Sequence, residues 1–177
     1  MTDPEFVRQV PDGDDRERRV CGTCGFIDYQ NPRVVVGSVV DVDGDVLLCR
    51  RAIEPRKGYW TLPAGFLELG ETVEEGALRE AREEACCTLD ITGVLAVYSV
   101  PRIGQVQVMH MARLAAPGYA AGPESEEVAV FRWDDIPWDD LAFPTVHWAL
   151  RQARQVWGTT GFVPFGNPDG ERGDLTA

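Results

Sequence analysis

Basic residues are scarce in this chain. Seventeen Lys and Arg face 29 Asp and Glu among 177 residues, a formal net charge of −12. Such a surface repels polyanions, which speaks against nucleic-acid or anionic-membrane binding as the main task. An anionic substrate would have to be met by bound cations and a few local arginines. No run of about 18 apolar residues occurs, so no transmembrane helix is expected. The first residues are charged and lack an apolar stretch, so no secretory signal is expected. There are two histidines and five cysteines, two of the latter adjacent. That is no disulfide framework, and a reducing cytosol is the expected compartment. Repeats and low-complexity tracts are missing as well.

The 44% hydrophobic content can bury one core. The expected organisation is an N-terminal arm over 1–32, one domain over 33–157 and a tail over 158–177. The arm reads as polar and irregular up to residue 20. It then carries Cys21-Gly22-Thr23-Cys24, a knuckle of zinc-binding type. A tetrahedral structural site takes four ligands, usually from two such pairs. Only one pair is present, so a turn held by its own hydrogen bonds is preferred to zinc on Cys21 and Cys24.

Strands are expected over 33–40, 45–50, 91–99, 105–114 and 128–133. Asp43-Gly44 is a hairpin turn signal between the first two. In the fourth, Val106, Val108, His110 and Ala112 alternate with Gln107, Met109 and Met111. His110 reads as a strand residue rather than a base, and Trp60 as an anchor. A last helix over 145–157 keeps an apolar 3.6 period. The tail from Gly158, rich in Gly, Pro and charge, reads as an extended or disordered end.

The chemistry concentrates in Gly65 to Cys87. Thr72 and Glu75 form a capping box, so a helix is expected to start near Val73. At about 100° per residue, Glu80, Glu83 and Glu84 share an arc of about 100°. Three like charges on one face repel, and a hard cation such as Mg²⁺ or Mn²⁺ explains them. Ala77, Ala81 and Ala85 recur every four residues and allow close packing on a sheet.

Gly65, Glu71, Arg79, Glu80, Glu83 and Glu84 resemble the Nudix box, G-x5-E-x7-R-E-U-x-E-E-x-G-U, with Ala81 at U. The one departure is Cys86 in place of the second glycine. The resemblance implies an α/β fold, the Nudix α/β/α sandwich with a mixed β-sheet. It implies Glu80, Glu83 and Glu84 as metal ligands, joined by the Ala64 carbonyl of the W-x-L-P-x-G-like run Trp60 to Gly65. Glu71 is either a more distant ligand or a loop holder, and Arg79 positions the carboxylates. The leader before residue 33 looks like the zinc ribbon of one Nudix branch, whose first C-x-x-C does not occur here. YQNPRVVVG, GPESEE and IPWDDLAFPT look like the branch of FAD and ADP-ribose pyrophosphatases.

That branch implies Mg²⁺-dependent hydrolysis of ADP-ribose or FAD to AMP plus ribose 5-phosphate or FMN, by a homodimer. Glu83 and Glu84 would take part in catalysis, and a glutamate of the Gly118–Glu127 loop, Glu124 or Glu127, would act as base. Arg50, Arg51 and Arg102 are candidates for substrate phosphates, against a solvated role. Two alternatives stay open: an NADH or nucleoside triphosphate pyrophosphatase, and a sensor that binds ADP-ribose without cleaving it. The complete set of box carboxylates speaks against the sensor.

Overall fold

The computed structural model describes residues 5–173; the first four residues of the arm and the last four of the tail lie outside the described residues. The chain divides into two compact units, one ending at Pro32 and the other beginning at Arg33.

The first unit corrects the expectation of an irregular arm. It is a three-stranded antiparallel sheet of β1 (Phe6–Gln9), β2 (Arg18–Cys21) and β3 (Ile27–Asp28). High charge hid the strands, because here the charges are paired. Arg18 Nε donates to Asp14 at 2.8 Å, and Arg19 lies 3.2 Å from Asp28 on the neighbouring strand. The cysteine knuckle is a tight turn. Gly25 N donates to the Cys21 carbonyl at 2.9 Å, and Cys21 N donates to Phe26 O at 2.8 Å. Cys21 is buried and Cys24 exposed.

The second unit is built on one sheet. Its strands are β4 (Arg33–Val42), β5 (Asp45–Arg51), β6 (Trp60–Thr61), β7 (Ala64–Phe66), β8 (Leu89–Val100), β9 (Gln105–Leu114) and β10 (Ser125–Phe131). The order is β10-β5-β4-β9-β8, with β6 on β5 and β7 on β4. β4 and β9 run parallel and the remaining pairs antiparallel, so the sheet is mixed. Successive strand side chains point to opposite faces. Val39 and Leu48 therefore join one apolar layer, while Val40 and Leu47 join the other.

Helix α1 (Val73–Ala85) covers the second layer through Ala81 and Ala85, and α2 (Pro144–Val156) covers the first through Val146, Ala149, Leu150 and Ala153. This is the expected α/β/α arrangement. Met109 and Met111 face α2 and Ala112 faces the α1 layer, as the alternation in β9 requires. His110 is fully buried, with Nδ1 3.2 Å from the Gly37 carbonyl. Burial holds its imidazole below the usual pKa, so it stays neutral. Trp60 packs edge-on against Phe131 with centroids 4.8 Å apart.

The capping box is formed at both bonds. Glu75 N donates to Thr72 Oγ1 at 3.2 Å, and Thr72 N donates to Glu75 Oε2 at 2.8 Å. The helix ends at Cys86, which takes the left-handed conformation at φ 48°. Its amide reaches Arg82 O at 3.1 Å. A Cβ is unfavourable there, which is why glycine suits the position. Cys86→Gly is expected to raise the unfolding free energy by about 0.5–1 kcal/mol. Urea titration checks this, and a loss of stability would show that the Cys86 side chain contributes packing.

Two boundaries differ from expectation. β10 begins at Ser125, so Glu126 and Glu127 lie on a strand rather than in a loop. Residues 158–173 are rich in turns, and 165–167 are bonded to β8. Val97 N and Phe165 O are 2.9 Å apart, and Phe165 N reaches Leu95 O at 2.8 Å. The Asn167 amide both accepts from Ser99 N and donates to Ser99 O, each at 2.8 Å.

Candidate active site

β4 pairs with β5 through Val40–Val42 and with β7 through Val35–Gly37. The sheet thus parts along β4, and a cleft of about 1020 Å³ opens beside β7. Glu80, Glu83 and Glu84 reach it from α1, Glu124 from the segment before β10, Arg51 from the end of β5 and Arg102 from the turn after β8.

Glu84 is 5% exposed, and its Oε2 accepts from Ala64 N at 2.9 Å. Burial, assisted by the charges of Glu80 and Glu124, pushes its carboxyl up to about 7, against the Ala64 N–H and Arg51. Glu80 is raised too, chiefly by burial. Its carboxylate lies against Gly65, where an added Cβ would come within 2.4 Å of Oε1. That contact explains a glycine at the start of the box.

Arg79 acts as the cluster's internal counter-charge. Nη1 donates to Glu80 Oε1 at 2.7 Å and to Glu83 Oε2 at 3.0 Å, and Nε donates to Glu71 Oε1 at 2.7 Å. Nη2 also reaches Phe66 O at 2.9 Å. Glu71 in turn accepts from Glu68 N at 3.2 Å and holds the loop.

Among the described residues no three His, Cys, Asp or Glu side chains are gathered to hold a metal ion. In the box the reason is visible: Arg79 draws on Glu80 and Glu83, and Ala64 N holds Glu84. The donor chemistry still fits a hard divalent cation. All the donors are oxygens, and two of the carboxylates are buried with too little positive charge beside them. The Cys21 turn likewise lacks a third gathered ligand among the described residues.

The structure separates residues that adjacent positions left unranked. Gly122 N donates to Glu84 O at 3.0 Å, and a Cβ on Gly122 would fall 1.7 Å from Glu83 O. This close approach lays Pro123 and Glu124 across the end of α1 and into the cleft. Glu127 instead stands on β10 opposite Arg50, 3.8 Å from it. Arg50 pairs with Glu126 and Glu127 and donates from Nε to Gly58 O at 2.9 Å, outside the cleft lining. Of the two neighbouring arginines, Arg51 is the one that lines the cleft. There Nε donates to Pro55 O at 2.8 Å, and the guanidinium lies 5.3 Å from the Phe143 ring centre. Phe143, Arg56, Gln105 and Gln107 also line the cleft. Phe143, Gln105 and Gln107 were not foreseen as site residues, although the Gln pair breaks an otherwise apolar strand face two residues from Met109.

The raised Glu84 carboxyl makes stability depend on pH. Its folded value lies above its unfolded value, so the folded state holds the proton more tightly. The contribution is full below the unfolded value near 4.5 and is lost as pH rises through about 7. In EDTA the unfolding free energy is expected to fall by on the order of 2–3 kcal/mol between pH 5 and pH 8. Glu84→Gln should flatten that slope in urea titrations at the two pH values, and an unchanged slope would assign it elsewhere.

A cleft floored by clustered carboxylates, in a mixed sheet between two helices, matches known proteins over most of its length. The NUDIX domain model matches residues 30–155, and a zinc-ribbon model described as Nudix N-terminal matches residues 4–30. The chain belongs to the Nudix hydrolase family. The crystal structure of a NUDIX hydrolase from Nitrosomonas europaea is 41% identical, with TM-score 0.86, covering 93% of this chain and 94% of that one. An ADP-ribose pyrophosphatase of Methanocaldococcus jannaschii is 34% identical over 119 residues, 65% of this chain and 69% of that protein. A NAD-capped RNA hydrolase NudC of Vibrio atlanticus is 34% identical over 121 residues, which span 66% of this chain but 42% of that protein. No helix among the described residues is long and apolar enough to cross a membrane.

Proposed function

We propose that this chain hydrolyses the diphosphate bridge of ADP-ribose, and of FAD as a further substrate. The observation that carries the reading is the placement of Glu84, buried and bonded to Ala64 N, beside Glu80 and Glu124 in the cleft. Similarity to the ADP-ribose pyrophosphatase of M. jannaschii supports the substrate class.

Glu80, Glu83, Glu84 and the Ala64 carbonyl would hold Mg²⁺ or Mn²⁺. The cation supplies charge neutralisation at the diphosphate and acidifies water. Arg79 bonds Glu71, Glu80 and Glu83, so a bound cation would compete with it for Glu80 and Glu83. Arg51 and Arg102, which both line the cleft, bind the diphosphate oxygens. Glu124 takes a proton from the attacking water. Water oxygen forms a bond to one phosphorus, the bridging P–O bond breaks, and the bridge oxygen leaves on the other phosphate. The products are AMP with ribose 5-phosphate, or AMP with FMN.

A homodimer and a cytosolic site belong to the same proposal. A light-scattering mass of one chain would sink the dimer. The zinc-ribbon match and the NudC relative favour a second reading, cleavage of a NAD-type dinucleotide, with zinc at Cys21 and Cys24. Both thiols stand on one turn, and hydrogen bonds from Cys24 and Thr23 hold the Cys21 thiol below its usual range. Turnover with Mg²⁺ against ADP-ribose, FAD, NADH and nucleoside triphosphates, with products separated by chromatography, decides among these. AMP from ADP-ribose or FAD is the expected result. Cleavage of NADH alone would favour the second reading. Binding without turnover would favour a sensor.

A further inference from the structure

Away from the carboxylates, the cleft is floored by β4 and β9. Val35 lies opposite Gln107 in the parallel register, and Phe66 of β7 lies opposite Val35 on its other side. Gln105, Gln107 and Met109 occupy alternate positions of β9 and so share one face. All of these residues line the cleft, together with Ile103. The floor is apolar except for the two amides.

Those amides are bonded to each other. Gln107 Nε2 donates to Gln105 Oε1 at 3.1 Å. The mutual bond uses one donor and one acceptor. It leaves the Gln105 NH₂ as donor and the Gln107 carbonyl as acceptor, side by side. Reversing both amides exchanges the two roles and still leaves one donor beside one acceptor. The bond also fixes both side chains, so the pair is preorganised rather than loose. Gln105 and Gln107 are each half-buried, which leaves their polar atoms accessible to the cleft.

The distance suits one part of a dinucleotide. Ala64, whose amide holds Glu84, lies opposite Gly37, and Gly37 lies opposite Met109. Gln107 is two residues further along β9. Two strand spacings and one two-residue step separate it from Ala64, on the order of 10 Å. That span lies between a phosphate held at the carboxylates and the far edge of its own base or ring.

We propose that the Gln105–Gln107 pair determines specificity by reading the edge of a planar ring that carries a hydrogen-bond donor beside an acceptor. The apolar floor of Val35, Phe66 and Met109 receives the ring itself. Gln pairs with adenine in this way on the N6–N7 edge, donating to N7 and accepting from the 6-amino group, where hypoxanthine offers two acceptors instead. The pyrimidinedione edge of a flavin offers the same pattern. The proposal rests on the pyrophosphatase reading for its substrates.

The test is steady-state kinetics of the full chain with Mg²⁺, on ADP-ribose, its inosine analogue and FAD, for wild type, Gln105→Leu and Gln107→Leu. Leucine keeps the volume and removes the hydrogen bonds. For an adenine-reading pair, wild type prefers ADP-ribose to the inosine analogue. The variants raise KM for ADP-ribose about tenfold, lower kcat less than threefold and lose the preference. If the flavin is read, the KM rise appears with FAD and is absent with ADP-ribose. Gln107→Glu keeps an acceptor and should restore part of the lost affinity. Unchanged KM and unchanged preference in both leucine variants, with intact thermal melts, would overturn the proposal. If wild type turns over none of the three, the hydrolase reading fails by itself. Calorimetric binding of ADP-ribose and FAD to wild type and Gln105→Leu then decides, and equal affinities for both ligands overturn the amide pair.

Discussion

Glu84→Gln lowers kcat on the preferred diphosphate by about a thousandfold or more, with nucleotide binding partly retained. The carboxylate sits where burial, Glu80 and Glu124 all disfavour its charge. A divalent cation would relieve that strain, and a neutral amide removes the reason for the cation to bind there. The amide still accepts from Ala64 N, so the loop between β6 and β7 keeps its place. Mg²⁺ titration followed by activity and by thermal melting checks both halves. Wild type should gain melting temperature with Mg²⁺, more at pH 8 than at pH 6, because the carboxyl is charged only at the higher pH. The variant should gain none. Full turnover in the variant would remove Glu84 from the metal assignment.

Glu124→Gln lowers kcat about a hundredfold, and Glu127→Gln changes it less than twofold. Three residues of sequence separate them, but their surroundings differ completely. Glu124 is set against the end of α1 by the contact of Gly122 with Glu83 and Glu84, and its own carbonyl accepts from Ala52 N at 2.8 Å. Glu127 is tied to Arg50 across β10 and β5. If Glu124 is the base, the low-pH limb of the kcat/KM profile disappears in its variant and persists in the Glu127 variant. Equal losses in the two would mean that the segment acts only as an acidic surface.

The carboxylate face of α1 was legible because it is local. A capping box, a 3.6 period and three glutamates within one arc are all stated by neighbouring residues. The facing of β9 was legible for the same reason, since its alternation sorts side chains by face, whereas β4 and β5 read only as apolar runs because they are buried on both faces. Choosing between Glu124 and Glu127 needed a long-range fact, the approach of Gly122 to a carbonyl nearly forty positions earlier. The choice between Arg50 and Arg51 was half legible. A strand sends neighbours to opposite sides, so only one of them could reach the cleft, but the side depends on which strand lies alongside. The strands of the first unit were hidden because charge dominates their composition. Only pairing, as of Arg19 with Asp28, shows that those charges are compatible with a sheet.

The bonds between β8 and residues 165–167 bear on how the molecule avoids its own kind. β8 is a twelve-residue strand at the end of the sheet order. Left open, its outer rim would be a template on which another chain could add a strand. Phe165 uses its backbone to occupy part of that rim, and Asn167 uses a side-chain amide at Ser99. A side-chain amide ends the ladder, because it has no backbone strand behind it to pass the pairing on. The last segment of the described chain is therefore a stopper against sheet-to-sheet growth.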